Sequence, residues 1–411
     1  MNINEENRRT FADRFYKIFL LLLVILSILF FILAQTLNEE FFIKFSPDNK
    51  LKEATIGKIG ILRIGLFIMS SLSLGIILLS LHFRSYIKLS IKKHQNILKN
   101  ILLLTSIILI FLLIIEIALK IKFEDTTFGS GIGPNSLKFN VKYVHLNKDN
   151  MRDRDFTIEK PENTVRIVGL GDSYTFGSGI KNINDTYLKI LEKRLNFIDN
   201  GRKYEVLNFG IPGKDTKDEL EMLKEKALKY DPDIIMIGYV VNDFKNVDSN
   251  LRLPKKHLTI IPFIGFWLGN IFYSYALFEI KMNRAIENLG LKMPTTEITL
   301  KEFESEANKE YNKKLFKDIA ALAKEKDIKV ALVVFPVIYN LDNYPFFQIN
   351  EFIKEVGMEN NFYIIDILET YKGYEESELI VNKYDLHPNE LGHKLIAQTI
   401  LEKFIKDGVI E

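Results

Sequence analysis

A three-layer α/β/α fold with a mainly parallel five-stranded sheet is predicted for residues 141–411 of this 411-residue chain, preceded by an all-α transmembrane region. Two observations predict it. Three long apolar runs lie within the first 122 residues, and beyond residue 140 short β-branched runs alternate with helix-like patterns. Strict alternation of strand and helix is typical of a parallel sheet covered by helices on both faces.

The three apolar runs cover residues 18–37, 64–81 and 100–119, close to the ~20 residues that a helix needs to cross a bilayer. The first run could instead be a cleaved signal peptide, but it lacks a small-residue cleavage site and further runs lie downstream. The connection 84–99 carries five Lys and Arg residues and no acid, which places it and the N-terminus in the cytoplasm. The sequence therefore predicts a multi-pass protein of the cell (cytoplasmic or inner) membrane with an extracytoplasmic domain.

The soluble region follows a linker at 123–140. Strands are predicted at 165–170, 204–209, 233–239, 329–335 and 362–367, and helices at 185–196, 216–230, 300–326, 346–359 and 390–406. Thr216 and Glu219 are spaced as a capping box. An insertion at about 250–298 includes the uncharged stretch 258–278. If this stretch crossed the membrane as a fourth span, the parts of the domain before and after it would lie on opposite sides of the membrane. We therefore expect a loop and short helices that pack on the domain or dip into the outer membrane face.

The composition excludes several kinds of chemistry. The formal net charge of +2 gives no case for a nucleic-acid partner, and the absence of cysteine excludes disulfides and thiolate nucleophiles. His387 and His393 are six residues apart and would lie on different faces of a helix. Neither a His-Glu-x-x-His run nor a phosphate-binding Gly-Lys loop is present. We expect no metal and no cofactor.

The candidate nucleophile is Ser173. The first predicted strand breaks abruptly into Gly171-Asp172-Ser173, at the strand end where open α/β sheets carry their chemistry. A serine hydroxyl is a weak nucleophile and needs a base, a group that orients the base, and donors for the oxyanion. The G-x-S-x-G elbow of α/β-hydrolases is absent, because Thr175 stands where its second glycine would be.

The candidate base is His387, with Asp385 two residues before it. A lone histidine is more often structural than catalytic, but in an extended segment residues i and i+2 point to the same side. Asp385 could therefore contact one ring nitrogen while the other faces Ser173. Gly210 and Asn242 follow the next two strands and could supply oxyanion donors, although each alone could be an ordinary turn residue.

These blocks resemble the SGNH (GDSL) hydrolase superfamily over roughly residues 140–411, on Gly171-Asp172-Ser173, Gly210, Asn242-Asp243, Asp385 and His387. The resemblance implies an SGNH/flavodoxin-like fold. It also implies a Ser173 nucleophile, an oxyanion hole formed by the Ser173 and Gly210 amides with Asn242, and an activating Asp385–His387 pair. Such proteins are typically esterases, lipases or carbohydrate deacetylases, and some transfer acyl groups.

The chain departs from that family pattern in its last block and its Asn block. The last block is usually Asp-x-x-His, but here Tyr384 occupies the acid's place and Asp385 lies one residue closer. In the Asn block, more residues separate Asn242 from the preceding glycine than is common in the family. The stretch 147–156, which contains Arg152-Asp153-Arg154-Asp155, resembles what precedes the first block in membrane-tethered relatives, although surface ion pairing is the favoured interpretation.

The predicted function is a membrane-anchored serine ester hydrolase or O-acyltransferase that acts on acyl, in particular acetyl, esters of a cell-envelope glycan, with envelope polysaccharide machinery as a candidate partner. Two alternatives stay open. A lipid substrate is favoured if residues 258–278 contact the bilayer. A catalytically silent glycan-binding or assembly module is supported by the shortened spacing between Asp385 and His387.

Overall fold

The computed structural model describes residues 3–36, 38, 53–124, 139, 140, 142–198, 200–244, 246–248, 272–290 and 293–410. The chain divides into two compact units, Met1–Ile115 and Glu116–Glu411. The boundary falls inside the third apolar run, somewhat earlier than the boundary at 122 that the sequence suggested.

The first unit is helical, with α1 (Ile3–Thr36), α2 (Glu53–His82), α3 (Arg84–Lys93) and the start of α4 (Gln95–Lys122). Three helical segments are long and apolar enough to cross a membrane, namely Thr10–Thr36, Arg63–His82 and Gln95–Lys122. Most of their large apolar side chains are exposed. Such surfaces are costly in water, and these helices suggest membrane insertion.

Helices α1 and α2 are joined by hydrogen bonds from serine and tyrosine side chains to backbone carbonyls. Ser27 Oγ donates to Ser70 O at 3.1 Å, and Ser70 Oγ donates to Ser27 O at 3.0 Å. Tyr16 donates to Ser80 O at 2.7 Å. Residue numbers rise along α1 from Tyr16 to Ser27 while those of their partners fall along α2 from Ser80 to Ser70, so α1 and α2 form an antiparallel hairpin. Small residues such as these serines allow close helix contacts in apolar surroundings.

The second unit is built on a five-stranded parallel sheet of order β2-β1-β3-β4-β5. Each strand lies within one residue of its predicted bounds; the strands are β1 (Thr164–Gly171), β2 (Lys203–Gly210), β3 (Ile234–Tyr239), β4 (Lys329–Val334) and β5 (Tyr363–Asp366). Every residue of β3 is buried, as expected for a strand covered on both faces. The strand order reverses at β1, which opens a crevice beyond the carboxyl ends of β1 and β3.

The helices surround this sheet, and most match the predicted patterns. They are α5 (Ser173–Phe176), α6 (Tyr187–Leu195), α7 (Thr216–Glu225), α8 (Tyr273–Asn288), α9 (Thr295–Glu304), α10 (Glu306–Glu325), α11 (Phe347–Glu359), α12 (Leu368–Tyr371), α13 (Glu376–Leu379) and α14 (Glu390–Lys406). Short 3-10 turns cover Ile183–Asp185, Ala227–Tyr230 and Val241–Asp243.

Two helix predictions were wrong in detail. Asp215, and not Thr216, caps α7, because its carboxylate accepts the N–H groups of Lys217 and Asp218. The helix predicted at 300–326 is two helices that meet at Ser305, whose backbone is extended. The Ser305 hydroxyl donates to Asp248 at 2.6 Å, so a contact distant in sequence accompanies a break that the apolar periodicity could not reveal.

A small antiparallel sheet lies outside the main one. Its strands are β6 (Ile380–Asn382) and β7 (Asp385–Pro388), with Asn382 paired to Asp385. The pairing makes 385–388 extended, as the spacing of Asp385 and His387 required. Asn389 then caps α14 by accepting the Gly392 N–H at 3.0 Å.

Glu116, near the end of α4, belongs to the second unit. Its carboxylate accepts the N–H groups of Tyr273 at 2.6 Å and Ser274 at 3.1 Å, so it satisfies two free donors at the start of α8. Of the uncharged stretch 258–278, residues 258–271 lie outside the described residues, and Tyr273 onward is helical. Most of the predicted linker, 125–138, is likewise outside them.

Candidate active site

Ser173 lies at the start of the one-turn helix α5, directly after β1. Asp172 caps this turn by accepting the Tyr174 N–H at 2.8 Å. Gly171 has a φ of 155°, and a Cβ there would lie 2.1 Å from Thr175 Oγ1. A glycine is therefore needed for the chain to turn so sharply from strand to helix, and the turn leaves Ser173 only half-buried.

The structure brings Ser173, His387 and Asp385 together. Ser173 Oγ lies 2.8 Å from His387 Nε2, and His387 Nδ1 lies 2.5 Å from Asp385 Oδ1. When Nδ1–H donates to the carboxylate, Nε2 carries the lone pair that can accept the serine proton. The shortened spacing therefore does not keep the acid from its histidine, because both side chains leave the same side of β7.

The environment of His387 favours its charged form. Burial lowers the pKa of His387, but the hydrogen bond and charge of Asp385, with a further contribution from Asp172, outweigh burial and raise it above its usual value. The side chain of Asp385 is only 4% exposed and that of His387 is 16% exposed. The pair is thus shielded from water while a substrate can still reach the imidazole edge.

Asp172 connects Ser173 to Asn242. Its Oδ2 accepts the Asn242 side-chain amide at 3.0 Å and lies 3.2 Å from Ser173 Oγ. The nearer acceptor for the serine hydroxyl is His387, at 2.8 Å. An amide group has two N–H donors, so this contact fixes Asn242 beside Ser173 while using one of them.

Gly210 occupies a different environment from the one its sequence position suggested. Its N–H donates to Asn208 Oδ1 at 2.9 Å. A Cβ at Gly210 would lie 2.3 Å from the Phe176 backbone nitrogen. The glycine thus allows β2 to pack closely against α5, and its amide would reach an oxyanion only after the Asn208 side chain turned away.

Two buried carboxyl groups lie near Asp172. Burial raises the pKa of Glu219 and of Asp243 well above the usual values, and the negative charge of Asp172 raises both further. Among the described residues, neither oxygen of Glu219 has a hydrogen-bond partner. The raised pKa values favour the protonated acids, which limits the negative charge that accumulates close to Asp172.

Arg152 is a structural residue of this site that sequence reasoning misjudged, because the surface ion pairing favoured for its charge run is wrong at this position. Arg152 is 1% exposed, and its guanidinium donates to the carbonyls of Phe176, Gly177 and Ile180. It therefore holds the segment that follows Ser173. Arg154 does pair at the surface, with Glu192 at 2.7 Å.

His393, the other histidine near the end of the chain, is not part of the triad geometry. It is fully buried, its Nδ1 accepts the Tyr187 N–H at 3.2 Å, and its ring stacks on that tyrosine. Burial lowers the pKa of His393 to about 3, so it stays neutral. Within the described ranges, no group of three or more His, Asp or Glu side chains could hold a metal ion.

Comparison with known proteins defines the class. The model of the GDSL-like lipase/acylhydrolase family matches residues 170–395, more than half of the chain, and the chain belongs to this family. The match spans the segments that carry Ser173, Gly210, Asn242 and His387. The parallel sheet with flanking helices is the SGNH hydrolase fold, and the family's chemistry is the hydrolysis of ester bonds.

Individual relatives are distant. YpmR of Bacillus subtilis (strain 168), an uncharacterized protein, is 22% identical over 264 residues, which are 61% of this chain and 85% of YpmR. A two-domain esterase active on acetylated mannans is 17% identical with a TM-score of 0.38, over 60% of this chain and 50% of the esterase. This chain thus spans half the length of that esterase. A lipase/acylhydrolase from Enterococcus faecalis is 17% identical with a TM-score of 0.36, over 59% and 96% of the two chains.

Proposed function

We propose that this protein is a membrane-anchored, extracytoplasmic serine ester hydrolase or O-acyltransferase that acts on acyl esters of a cell-envelope glycan. The observation that carries the proposal is the chain of contacts from Ser173 Oγ to His387 Nε2 at 2.8 Å and from His387 Nδ1 to Asp385 Oδ1 at 2.5 Å. This is the geometry that activates a serine hydroxyl.

In the first half of the reaction, Ser173 Oγ attacks the ester carbonyl as His387 Nε2 takes its proton. Asp385 stabilises the imidazolium that forms. The oxyanion is stabilised by the Ser173 backbone N–H and the second N–H of the Asn242 amide, with Gly210 N–H joining them if Asn208 releases it. His387 then gives the proton to the departing alkoxide, which leaves an acyl-serine.

In the second half, His387 removes a proton from water or from a sugar hydroxyl, whose oxygen attacks the acyl-serine. As the bond from the acyl carbon to Ser173 Oγ breaks, His387 returns the proton to Ser173 Oγ and the free enzyme is restored. Water gives an esterase, and a sugar hydroxyl gives a transferase. The envelope location is supported by the three apolar helices and by the basic connection 84–99, which by the positive-inside rule leaves the hydrolase domain outside. An envelope glycan is a substrate available on that side.

The alternative of a catalytically silent module rested on the shortened spacing of the acid and the base. That spacing nevertheless leaves Asp385 within hydrogen-bond distance of His387, which supports the enzyme over the silent module. The lipid alternative rested on residues 258–278, most of which lie outside the described residues. A lipid ester would be cleaved by the same serine chemistry.

The test is labelling of intact cells with a membrane-impermeant fluorophosphonate, which reacts only with an activated serine. We expect the wild type to be labelled and the Ser173→Ala and His387→Ala variants to be unlabelled at equal expression. Labelling only after the cells are lysed would reverse the proposed orientation. No labelling of folded wild-type protein in either state would contradict the triad.

A further inference from the structure

The second unit contains another concave site, which the proposed reaction does not use. It is a cavity of about 570 Å³, within the size range of small-ligand sites. Neither Ser173 nor His387 nor Asp385 lines it. We call it the cationic cavity, after the basic residues in its lining: Lys142, Arg152, Arg154, Lys181, Lys189 and Lys193.

The lining of the cationic cavity has a large excess of positive charge. Its six Lys and Arg side chains face two carboxylates, Asp153 and Glu192. Both carboxylates are already engaged, because Lys189 lies 2.7 Å from Asp153 and 3.0 Å from Glu192, and Arg154 lies 2.7 Å from Glu192. Arg152, Lys181 and Lys193 form no ion pair with these two carboxylates.

Two of those cations lie exposed at the rim. Lys181 and Lys193 are both exposed, and neither has an ion-pair partner among the carboxylates that the structure describes. Tyr143 also lines the cavity, with the Lys142 and Lys181 ammonium groups 5.0 and 5.8 Å from its ring centre. The rim thus offers charge beside an apolar ring surface.

The buried wall supplies an independent observation. Arg152 is 1% exposed, and its Nε has no hydrogen-bond partner in the described part of the chain. Another buried arginine of the same unit, Arg166, instead donates through Nε and Nη2 to Glu205 at 3.0 and 2.8 Å. No described carboxylate lies within ion-pair distance of Arg152. A buried guanidinium without a counter-ion is energetically costly, so an anion in the cavity would stabilise it.

We propose that the cationic cavity binds a phosphate-bearing ligand. A phosphate group has more charge and more acceptor oxygens than a carboxylate, so it can engage several of these cations at once. The ring of Tyr143 provides a surface for the carbon skeleton that carries the phosphate. The ligand is either a free phosphorylated compound or a segment of a phosphodiester-linked polymer.

The test is calorimetric titration of the full chain in detergent at low salt, with three probes. The probes are inorganic pyrophosphate, a poly(glycerol phosphate) oligomer, and an oligogalacturonate of equal charge as the carboxylate control. We expect the phosphate probes to bind and the oligogalacturonate to bind at least tenfold more weakly. If the oligomer binds more tightly than pyrophosphate at equal phosphate concentration, the ligand is a polymer segment. If the two probes bind equally, the ligand is a free phosphorylated compound.

The variant Lys181→Gln with Lys193→Gln should lose about tenfold in affinity for the phosphate probes. The matched control is Lys324→Gln with Lys326→Gln, which removes the same charge from exposed positions at the end of α10 and should bind as the wild type does. Wild-type protein that binds neither phosphate probe, an equal loss in the control pair, or equal affinity for oligogalacturonate would overturn the proposal.

Binding is also tested apart from hydrolysis. Ser173→Ala should bind pyrophosphate or the oligomer as the wild type does, because Ser173 does not line the cationic cavity. If the proposed serine chemistry is wrong, phosphate binding in the cationic cavity is unaffected. If the cationic cavity binds no phosphate, the proposed serine chemistry is unaffected.

Discussion

Strand β7 and the first turn of α14 each carry a histidine, and the two lie six residues apart in the chain. Their pKa values are shifted in opposite directions. Burial opposes the charged form of both rings. His387 has Asp385 at 2.5 Å, and its pKa is raised. His393 has a backbone N–H donor and a tyrosine ring as neighbours, and its pKa falls to about 3.

The two histidines show that a hydrogen-bonded carboxylate decides the direction of the pKa shift where burial alone would lower the pKa of both. Without such a carboxylate, a buried imidazole is a neutral packing group with one satisfied acceptor.

The largest expected effect is that of His387→Gln on the hydrolysis of p-nitrophenyl acetate by the full chain in detergent. We expect kcat/KM to fall by about 10³-fold or more, because the proton acceptor for Ser173 is lost. Combining the change with Ser173→Ala should add little, since members of a triad act as a unit. A kcat/KM of the variant within tenfold of the wild-type value would show that His387 is not the proton acceptor.

Asp385→Asn should lower kcat/KM by about 10²- to 10⁴-fold, because the amide no longer stabilises the imidazolium. The substitution removes the hydrogen bond and charge of Asp385, the main influences that raise the pKa of His387, while burial and the smaller effect of Asp172 remain, so the acidic limb of the pH–rate profile should move to lower pH. Adding Tyr384→Asp, which restores the family's usual spacing, should not rescue the rate, because Tyr384 packs on Phe123 with ring centres 5.8 Å apart. Rescue would mean that the position of the acid is not fixed by β7.

The wild-type pH profile tests the same pair with no substitution. His387 must be neutral to accept the serine proton, and its pKa is raised above 6.5. Activity should therefore increase with pH through a midpoint above 6.5, measured as kcat/KM on p-nitrophenyl acetate. A midpoint below 6.5 would show that burial outweighs Asp385 after all.

The smallest effect on catalysis is expected for His393→Leu, with kcat/KM within a few-fold of the wild type. The change leaves the Tyr187 N–H without its acceptor, which should cost about 1–3 kcal/mol at pH 7. The depressed pKa of His393 means that the unfolded state binds the extra proton, so wild-type stability falls as pH drops below 6.5. The gap in melting temperature between variant and wild type should therefore narrow at pH 5, and a gap that stays constant would contradict the buried neutral state.

Local patterns predicted most of the second unit. The β-branched runs predicted the five strands of the main sheet to within one residue of the observed bounds, whereas the two short strands β6 and β7 were not predicted. Because residues i and i+2 of an extended segment point to the same side, Asp385 and His387 were predicted to share a side, and the structure has this segment as strand β7. The cap of α7 was missed because Asp215 and Thr216 are both good N-cap residues and adjacent, so the sequence does not choose between them.

By itself, the sequence determined the strand and helix periods, the turn that presents Ser173, and the spacing of the acid and the base, because these depend on neighbours a few residues apart. Only the tertiary structure decided that Arg152 is buried against carbonyls 24 to 28 residues away, or that Asn208 takes the Gly210 amide. It likewise decided that His387 and Ser173, 214 residues apart in the chain, form a hydrogen bond. Burial and partnership depend on which distant segments pack together, and no local pattern records that.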